Sequence, residues 1–371
     1  MSEANKSNRE PRMPKVWESC ITLAALIGVL AIGIVIFGAA VHVPMFVGVC
    51  VAALMALYLG HKWDSIEKMM MDGIYKALQS ICILIIVGIL IGVWINAGVV
   101  PTMIYYGLKI MHPAIFFIAA VLICSITSLA TGTSWGTMGT MGVALMGIGF
   151  GLDMNPAMTA GAILSGAYFG DKMSPLSDTT NLAPAMAGTD VIAHVKAMMI
   201  PTVVTYAITL VVFGVFGAMQ YHGGEADMSR VTEFAAALNA AEGGVFNINP
   251  ILLLPPVIVI VAVAMKMPAI PGITLGIFAG AVLGLIFQPN ACDLGTLFSF
   301  GMDGYAFSDE MRAVLQSSLT EDTYNTMVEL LEKGGIMNMM NSVAMTIIAM
   351  MFGGIMEGTH QLEVVVNKLK K

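Results

Sequence analysis

Apolar runs long enough to cross a bilayer recur along this chain, and they constrain its fold more than any other feature. A spanning helix needs about 20 mostly apolar residues. Runs of that kind lie near 20–41, 43–60, 77–100, 113–130, 136–152, 154–170, 197–219, 249–265, 269–287 and 341–357. The chain is 57% hydrophobic and 11% charged, against about 25% charged residues in an ordinary soluble domain. An all-α polytopic membrane protein of about ten segments is therefore expected. The fifth and sixth runs are short and glycine-rich, so broken or re-entrant polar segments are expected there. Lys6, Arg9, Arg12 and Lys15 precede the first run, and Gly38-Ala39-Ala40 resembles a cleavage site. The run itself exceeds the roughly 7–15 residues of a signal core, so a first membrane helix is expected.

Basic residues in short loops set orientation. The N-terminal tail, residues 61–76, residues 171–196, Lys266 and the final lysines all fall on one side if every run crosses. That places the N-terminus in the cytoplasm. The long acidic stretches 221–248 and 288–340 then face outside. In the second, Thr320 reads as an N-cap for a surface helix from Glu321 to Lys333, with Gly334-Gly335 as its stop.

Part of the pattern repeats. Pro44, Gly48, Leu59 and Gly60 match Pro268, Gly272, Leu283 and Gly284 at one constant offset, and Gly73, Gly92, Leu108 and Lys109 match Gly334, Gly353, Leu369 and Lys370 at another. The matched segments run in opposite directions on this topology, as in inverted-repeat transporters. The expected organisation is a tail over 1–18, a first repeat over 19–220, an external linker over 221–248, and a second repeat over 249–371 containing the external loop 288–340. The second repeat stops at the equivalent of residue 110, so it is expected to be incomplete.

Two polar runs carry the chemistry. The stretch 170–184, Gly-Asp-Lys-Met-Ser-Pro-Leu-Ser-Asp-Thr-Thr-Asn-Leu-Ala-Pro, places two carboxylates, a lysine, hydroxyls and an amide between apolar segments. Ionisable groups at membrane depth are costly and mark paths for ions or polar solutes, and prolines break the helix that would otherwise satisfy the backbone. Asp178, with Thr179, Thr180 and Asn181, can bind Na+ when ionised and H+ when not. Lys172 is a candidate partner for Asp171 or Asp178. The second run, 131–137, Thr-Gly-Thr-Ser-Trp-Gly-Thr, offers hydroxyls and freed carbonyls, the oxygen donors that hard cations prefer. The alternative for these hydroxyls is interhelical hydrogen bonding, which is also the expectation for the lone Asn96.

Other classes are disfavoured. The five cysteines show no CxxC spacing, so neither a disulfide framework nor a metal site is expected. No basic patch with interleaved aromatics points to nucleic acid. The six histidines are scattered without an HExxH motif, so no enzyme activity is expected. A passive channel would show axial repeats of carbonyls or side chains, which are missing.

The run GDKMSPLSDTTNLAP closely resembles the signature of the NhaC-type Na+/H+ antiporter family, and TGTSWGT resembles that family's matching polar segment. The resemblance covers roughly residues 16–371. It implies a secondary transporter of the bacterial inner membrane with two inverted repeats, each holding a hairpin or broken helix near the midplane. The implied activity is Na+ efflux driven by H+ entry, with Na+ and H+ as transported ions and no cofactor. Asp171, Ser177, Asp178, Thr179, Thr180 and Asn181 are the implied pathway residues, with Thr131, Thr133, Ser134 and Thr137 opposite. Na+ would sit at Asp178, Thr179 and Asn181. The same pattern includes exchangers coupling Na+ or H+ to organic acids such as malate and lactate, which is the alternative. The lipid bilayer is the other expected partner, and a homodimer is compatible with the class.

Overall fold

A computed structural model describes residues 11–132, 134–174, 177, 180, 191–220, 225–265 and 267–369. Among them the regular elements are helical, and the only β pairing is an isolated bridge between Asn239 and Phe246. In chain order the helices are α1 (Val16–Ala31, continued by a π turn Ile32–Ile36), α2 (His42–Tyr58), α3 (Trp63–Asn96), α4 (Val99–Ile110) and α5 (Phe116–Thr131). Next come α6 (Ser134–Thr137, followed by a π turn Met138–Gly142), α7 (Val143–Gly151), α8 (Pro156–Met173), α9 (Val191–Gln220) and α10 (Glu225–Leu238). The remainder are α11 (Leu254–Ala264), α12 (Ala269–Phe287), α13 (Leu294–Asp303), α14 (Asp309–Ser318), α15 (Glu321–Leu331), α16 (Ile336–Gly358) and α17 (Gln361–Leu369).

Among the described residues, five helices are long and apolar enough to cross a membrane: Val16–Ile36, Trp63–Asn96, Ala193–Gln220, Ala269–Phe287 and Ile336–Gly358. A sixth crossing results if Val99–Ile110 and Pro113–Leu129, bent by 104°, form one span. His42–Tyr58 and Pro250–Ala262 are shorter apolar helices. Of the two glycine-rich runs expected to be irregular, the first is broken by the π turn at 138–142, whereas the second is the continuous helix α8. This is a polytopic, all-helical membrane protein.

Two stretches expected as loops are helical. Of residues 61–76, those from Trp63 onward supply the first part of α3, because Ile66, Met70, Gly73 and Ala77 return on one buried face at helical spacing. Residues 101–112 belong largely to α4, whose Val99 to Tyr105 and Leu108 are almost all buried. Pro101 is tolerated there because it lies in the first turn, where the backbone donors lack helical partners anyway. The acidic stretches 221–248 and 288–340 also contain helices, α10 and α13 to α15. Thr320 is indeed the N-cap of α15, and Met327, Leu330 and Leu331 bury its inner face in the core.

The chain divides into two compact units, one of residues 1–82 with 340–371 and one of residues 83–339. In the first, Val49, Ala52, Ala56, Ile66, Phe352 and Ile355 form the apolar core. Gly73 and Gly354 let α3 and α16 cross with backbones in contact, since a Cβ on either would run into a carbonyl of the other helix. In the second unit, Trp94, Phe116, Phe117, Phe234 and Phe246 are fully buried, and the Trp94 indole donates to Gly276 O at 2.9 Å. Two corners are alike. Gly98 (φ 77°) joins α3 to α4, and His360 (φ 60°) joins α16 to α17. Their positions agree within one residue with the second set of repeat matches.

A glycine cluster holds the middle of α3. Gly335 N donates to Gly88 O at 2.7 Å, and Asn338 Nδ2 reaches Gly334 O at 2.7 Å and Asp303 O at 3.2 Å. Gly304, Gly334 and Gly335 all have positive φ, and a Cβ on Gly335 would collide with the Asp303–Gly304 backbone. Both the left-handed conformation, which costs a β-carbon residue about 1–2 kcal/mol, and the clash act against substitution. Gly335→Ala should therefore lower the melting temperature of the purified protein by several degrees, while Gly353→Ala, where a Cβ meets open space, should leave it unchanged.

Near α10, the Glu242 carboxylate accepts from Tyr105 Oη at 2.7 Å and Asn239 Nδ2 at 3.0 Å. These bonds, the tyrosine's first, hold its pKa below the usual value of 4.5. A depressed folded pKa adds stability above the unfolded value and loses it as pH falls through the folded one. Hydrogen exchange of residues 239–246, corrected for intrinsic rates, should accelerate below pH 4.5 in the wild type, and Glu242→Gln should flatten that dependence.

Candidate functional site

The site is built where α5, α6 and α8 end or begin close together. Helix α8 carries Gly166 and Gly170 one turn apart, both facing α5. A Cβ on Gly166 would meet Val121 O, and one on Gly170 would meet Ser125 O and Leu129 N. Small residues spaced in this way let helix backbones touch in a membrane. Two hydroxyls then tie the pair together: Ser128 Oγ donates to Ala167 O at 2.6 Å, and Ser174 Oγ donates to Leu129 O at 2.9 Å.

This approach carries Asp171, in the last turn of α8, to the first residue of α6. Ser134 Oγ donates to Asp171 Oδ2 at 2.8 Å. Ser134 is 2% exposed and Asp171 is half-buried. The two polar runs legible in the sequence are thus joined by one hydrogen bond between a hydroxyl and a carboxylate. Beyond Asp171, Thr180 Oγ1 lies 3.1 Å from both Asp171 O and Lys172 O, so it caps the end of α8. Thr180 N lies 3.4 Å from Ser177 Oγ, and both residues are buried. On the α6 side, Thr137 and Thr140 are buried, and Thr140 Oγ1 donates to Gly136 O at 2.8 Å beside the π turn. A π turn interrupts the regular ladder and recurs at functional sites. Helix α5 ends at Gly132 with φ 68°, which turns the chain sharply into α6.

Of the residues singled out by sequence, Asp171, Ser134, Ser177, Thr180 and Thr137 belong to this region. Asp178, Thr179, Asn181 and Thr133 lie outside the described residues, as does the side chain of Thr131. Lys172 is exposed and lines a different space. That space is a cavity of about 330 Å³ between α8 and α9, shared with Ser165, Thr202, Thr205 and Tyr206. Asp171 is met by Ser134, so the lysine is not needed as its described partner.

Three residues around the α5–α8 contact are not singled out by the sequence. Ser125, Ser128 and Tyr206 sit in apolar helices, and their hydroxyls looked like ordinary packing. Ser125 Oγ donates to Val121 O at 2.7 Å and lies 2.7 Å from Tyr206 Oη, while the Tyr206 ring stacks on Phe169 with centroids 3.7 Å apart. The signal was the spacing of Ser125 and Ser128, one turn apart on the face that α8 covers. Gly132, Ser134 and Gly136 also spell G-x-S-x-G. A nucleophile elbow needs a strand-to-helix turn, whereas Ser134 stands between two helices and points at a carboxylate.

A half-buried carboxylate, buried hydroxyls and loosened backbone on discontinuous helices fit a class: a multi-pass membrane transporter. Residues 166–371 match the profile of the Na+/H+ antiporter family. The chain is 38% identical over 363 residues to the malate-2H+/Na+-lactate antiporter of Bacillus subtilis, covering 98% of this chain and 73% of that one. It is 34% identical over 331 residues to the Na+/H+ antiporter NhaC of Alkalihalophilus pseudofirmus, covering 89% and 67%. It is 31% identical over 361 residues to the arginine/ornithine antiporter ArcD of Halobacterium salinarum, covering 97% and 71%. No solved structure matches the chain. The chain belongs to the Na+/H+ antiporter family.

Gly170 tests the geometry directly. In Gly170→Ala the added methyl meets the α5 backbone, and overpacking of this kind costs about 1–3 kcal/mol. The variant should melt several degrees lower, and a cysteine pair reporting the α5–α8 spacing should show the helices moved apart.

Proposed function

We propose that this chain is a secondary antiporter that exports Na+ in exchange for H+ across the cytoplasmic (inner) membrane, with its N-terminus in the cytoplasm. The observation that carries the reading is the Ser134–Asp171 hydrogen bond, which brings a buried hydroxyl and a carboxylate from the two polar runs to one place. Asp178 stands in sequence between Ser177 and Thr180, both buried at the end of α8. In the proposed cycle Asp178 alternates between Na+ and H+: a proton arriving at the carboxylate displaces Na+, and loss of that proton restores the anion. Thr179 and Asn181 complete the Na+ ligands, and Asp171, Ser177 and Thr180 shape the approach. Thr131, Thr133, Ser134 and Thr137 form the facing wall. Ser134 holds Asp171 in place, and the clamped α5–α8 pair moves as one body during access.

A second reading has its own observation. The cavity of about 330 Å³ combines the Lys172 ammonium with several hydroxyls, a set suited to a carboxylate. In this reading an organic acid enters there and is exchanged together with Na+ or H+.

The test is dissipation of an imposed pH gradient in everted vesicles from an antiporter-deficient bacterium. Na+ alone should collapse the gradient. Asp178→Asn should abolish the collapse at wild-type expression, and normal exchange in that variant would refute the assignment. Ser134→Ala should raise the half-saturating Na+ concentration about tenfold, as expected from losing a hydrogen bond to a charged group, while Ser134→Thr should retain near-normal values. A gradient that collapses only when malate or lactate is added moves the assignment to the organic-acid reading.

A further inference from the structure

A larger cavity than the one beside Lys172 lies elsewhere, about 760 Å³ between the end of α3 and the starts of α13 and α14. That volume falls within the range of small-molecule sites. At its inner end stands Asn96, 1% exposed. Its Nδ2 donates to Thr296 Oγ1 at 3.3 Å, and among the described residues no group donates to its Oδ1. The amide orientation follows from Thr296. That hydroxyl donates to Asp293 O and accepts from Asp293 N at 2.8 Å within the α13 capping box. Its proton is committed, so it faces the Asn96 amide as an acceptor. Leaving a buried carbonyl oxygen unpaired is costly, and such an oxygen calls for a ligand that brings N–H groups or positive charge.

The walls and mouth agree. Phe300 and Tyr305 present aromatic surface, and Asp309 and Glu310 stand at the exposed start of α14. Among the described residues lining the cavity there is no Lys, Arg or His. The nearby Arg312 is turned away, bound to Glu332 and to Phe307 O. A buried amide oxygen without a donor beside the cavity, aromatic residues along its wall and two exposed carboxylates among its lining fit a cation that carries N–H donors on a compact organic body. A ring face attracts a cation, and the volume far exceeds what one alkali ion fills.

We infer that this cavity is a binding site for a small organic cation, a primary ammonium or guanidinium, separate from the Asp171 site and held by Asn96, Phe300, Tyr305, Asp309 and Glu310. The inference does not depend on the antiport reading, because none of these residues belongs to that site.

Titration calorimetry of the full chain in detergent tests it, with methylguanidinium as the probe. Saturable binding is expected. Tetramethylammonium, which has charge but neither N–H nor O–H, should compete at least about tenfold more weakly, since it cannot donate a hydrogen bond to Asn96. Asn96→Leu should weaken binding about tenfold or more, and Asp309→Asn with Glu310→Gln should weaken it and reduce its salt dependence. Asn96→Asp keeps the side-chain shape and should tighten binding, which preserves the test if the leucine variant misfolds. Asp171→Asn should leave binding unchanged, so failure here is distinct from failure of antiport. Absence of saturable binding, unchanged affinity in both Asn96 variants, or competition by Na+ as strong as by methylguanidinium would overturn the inference.

Discussion

Gly166 and Gly170 present only hydrogen atoms to α5, and the distance this permits governs the polar site. Lipid tails are as apolar as leucine, so there is little hydrophobic drive between helices in a membrane. Close packing and hydrogen bonds must hold them instead. The glycines bring the α8 backbone against Val121, Ser125 and Leu129, which puts Ser128 and Ser174 within reach of carbonyls on the opposing helix. With α8 fixed in this way, its last turn delivers Asp171 to Ser134. A larger residue at either position would separate the carboxylate from its donor.

The same device recurs at two places along α3. Gly73 and Gly354 do it between α3 and α16, and Gly88, Gly334, Gly335 and Gly304 do it around the middle of α3. At the second place the backbone itself crosses over, since Gly335 N donates to Gly88 O and the positive φ values leave room for nothing but glycine. Polar groups released by these irregularities find partners close by, as Asn338 does for Gly334 O and Asp303 O. Among the described residues, the Oδ1 of Asn96, like Ser19 Oγ, Thr102 Oγ1 and Gln361 Oε1, is one of the few buried side-chain atoms left without a partner.

The relatives share an exchange mechanism and differ in cargo by their names: Na+, malate and lactate, arginine and ornithine. Two polar spaces in this chain differ in the groups that line them. One offers an ammonium among hydroxyls beside α8 and α9, and the other offers carboxylates, aromatic faces and a free amide oxygen beside α13 and α14. Opposite charge preferences in the two spaces follow from their side chains alone.

The membrane class, the helices and the polar runs were legible because bilayer thickness fixes run length and because charge at membrane depth is rare enough to be noticed. Asp171 and Ser134 were both visible as chemistry for the same reason. That they touch, and that Lys172 instead faces another cavity, was not visible, since a partner across two helices is set by crossing geometry and not by neighbours in sequence. Ser125, Ser128 and Tyr206 were hidden because a hydroxyl in an apolar helix can satisfy itself on its own backbone, as Ser125 partly does on Val121 O. Residues 61–76 read as a loop by charge, although Ile66, Met70 and Ala77 already held the helical period. Sequence alone offers Asn96 as interhelical glue, and its amide nitrogen bonds Thr296 in that way; only packing leaves its buried Oδ1 without a donor beside a cavity. Sequence alone determined which residues carry charge and where the chain must be helical, because solvation energy is local. The tertiary structure decided which of them meet, because the glycine contacts that set helix spacing join positions far apart in the chain.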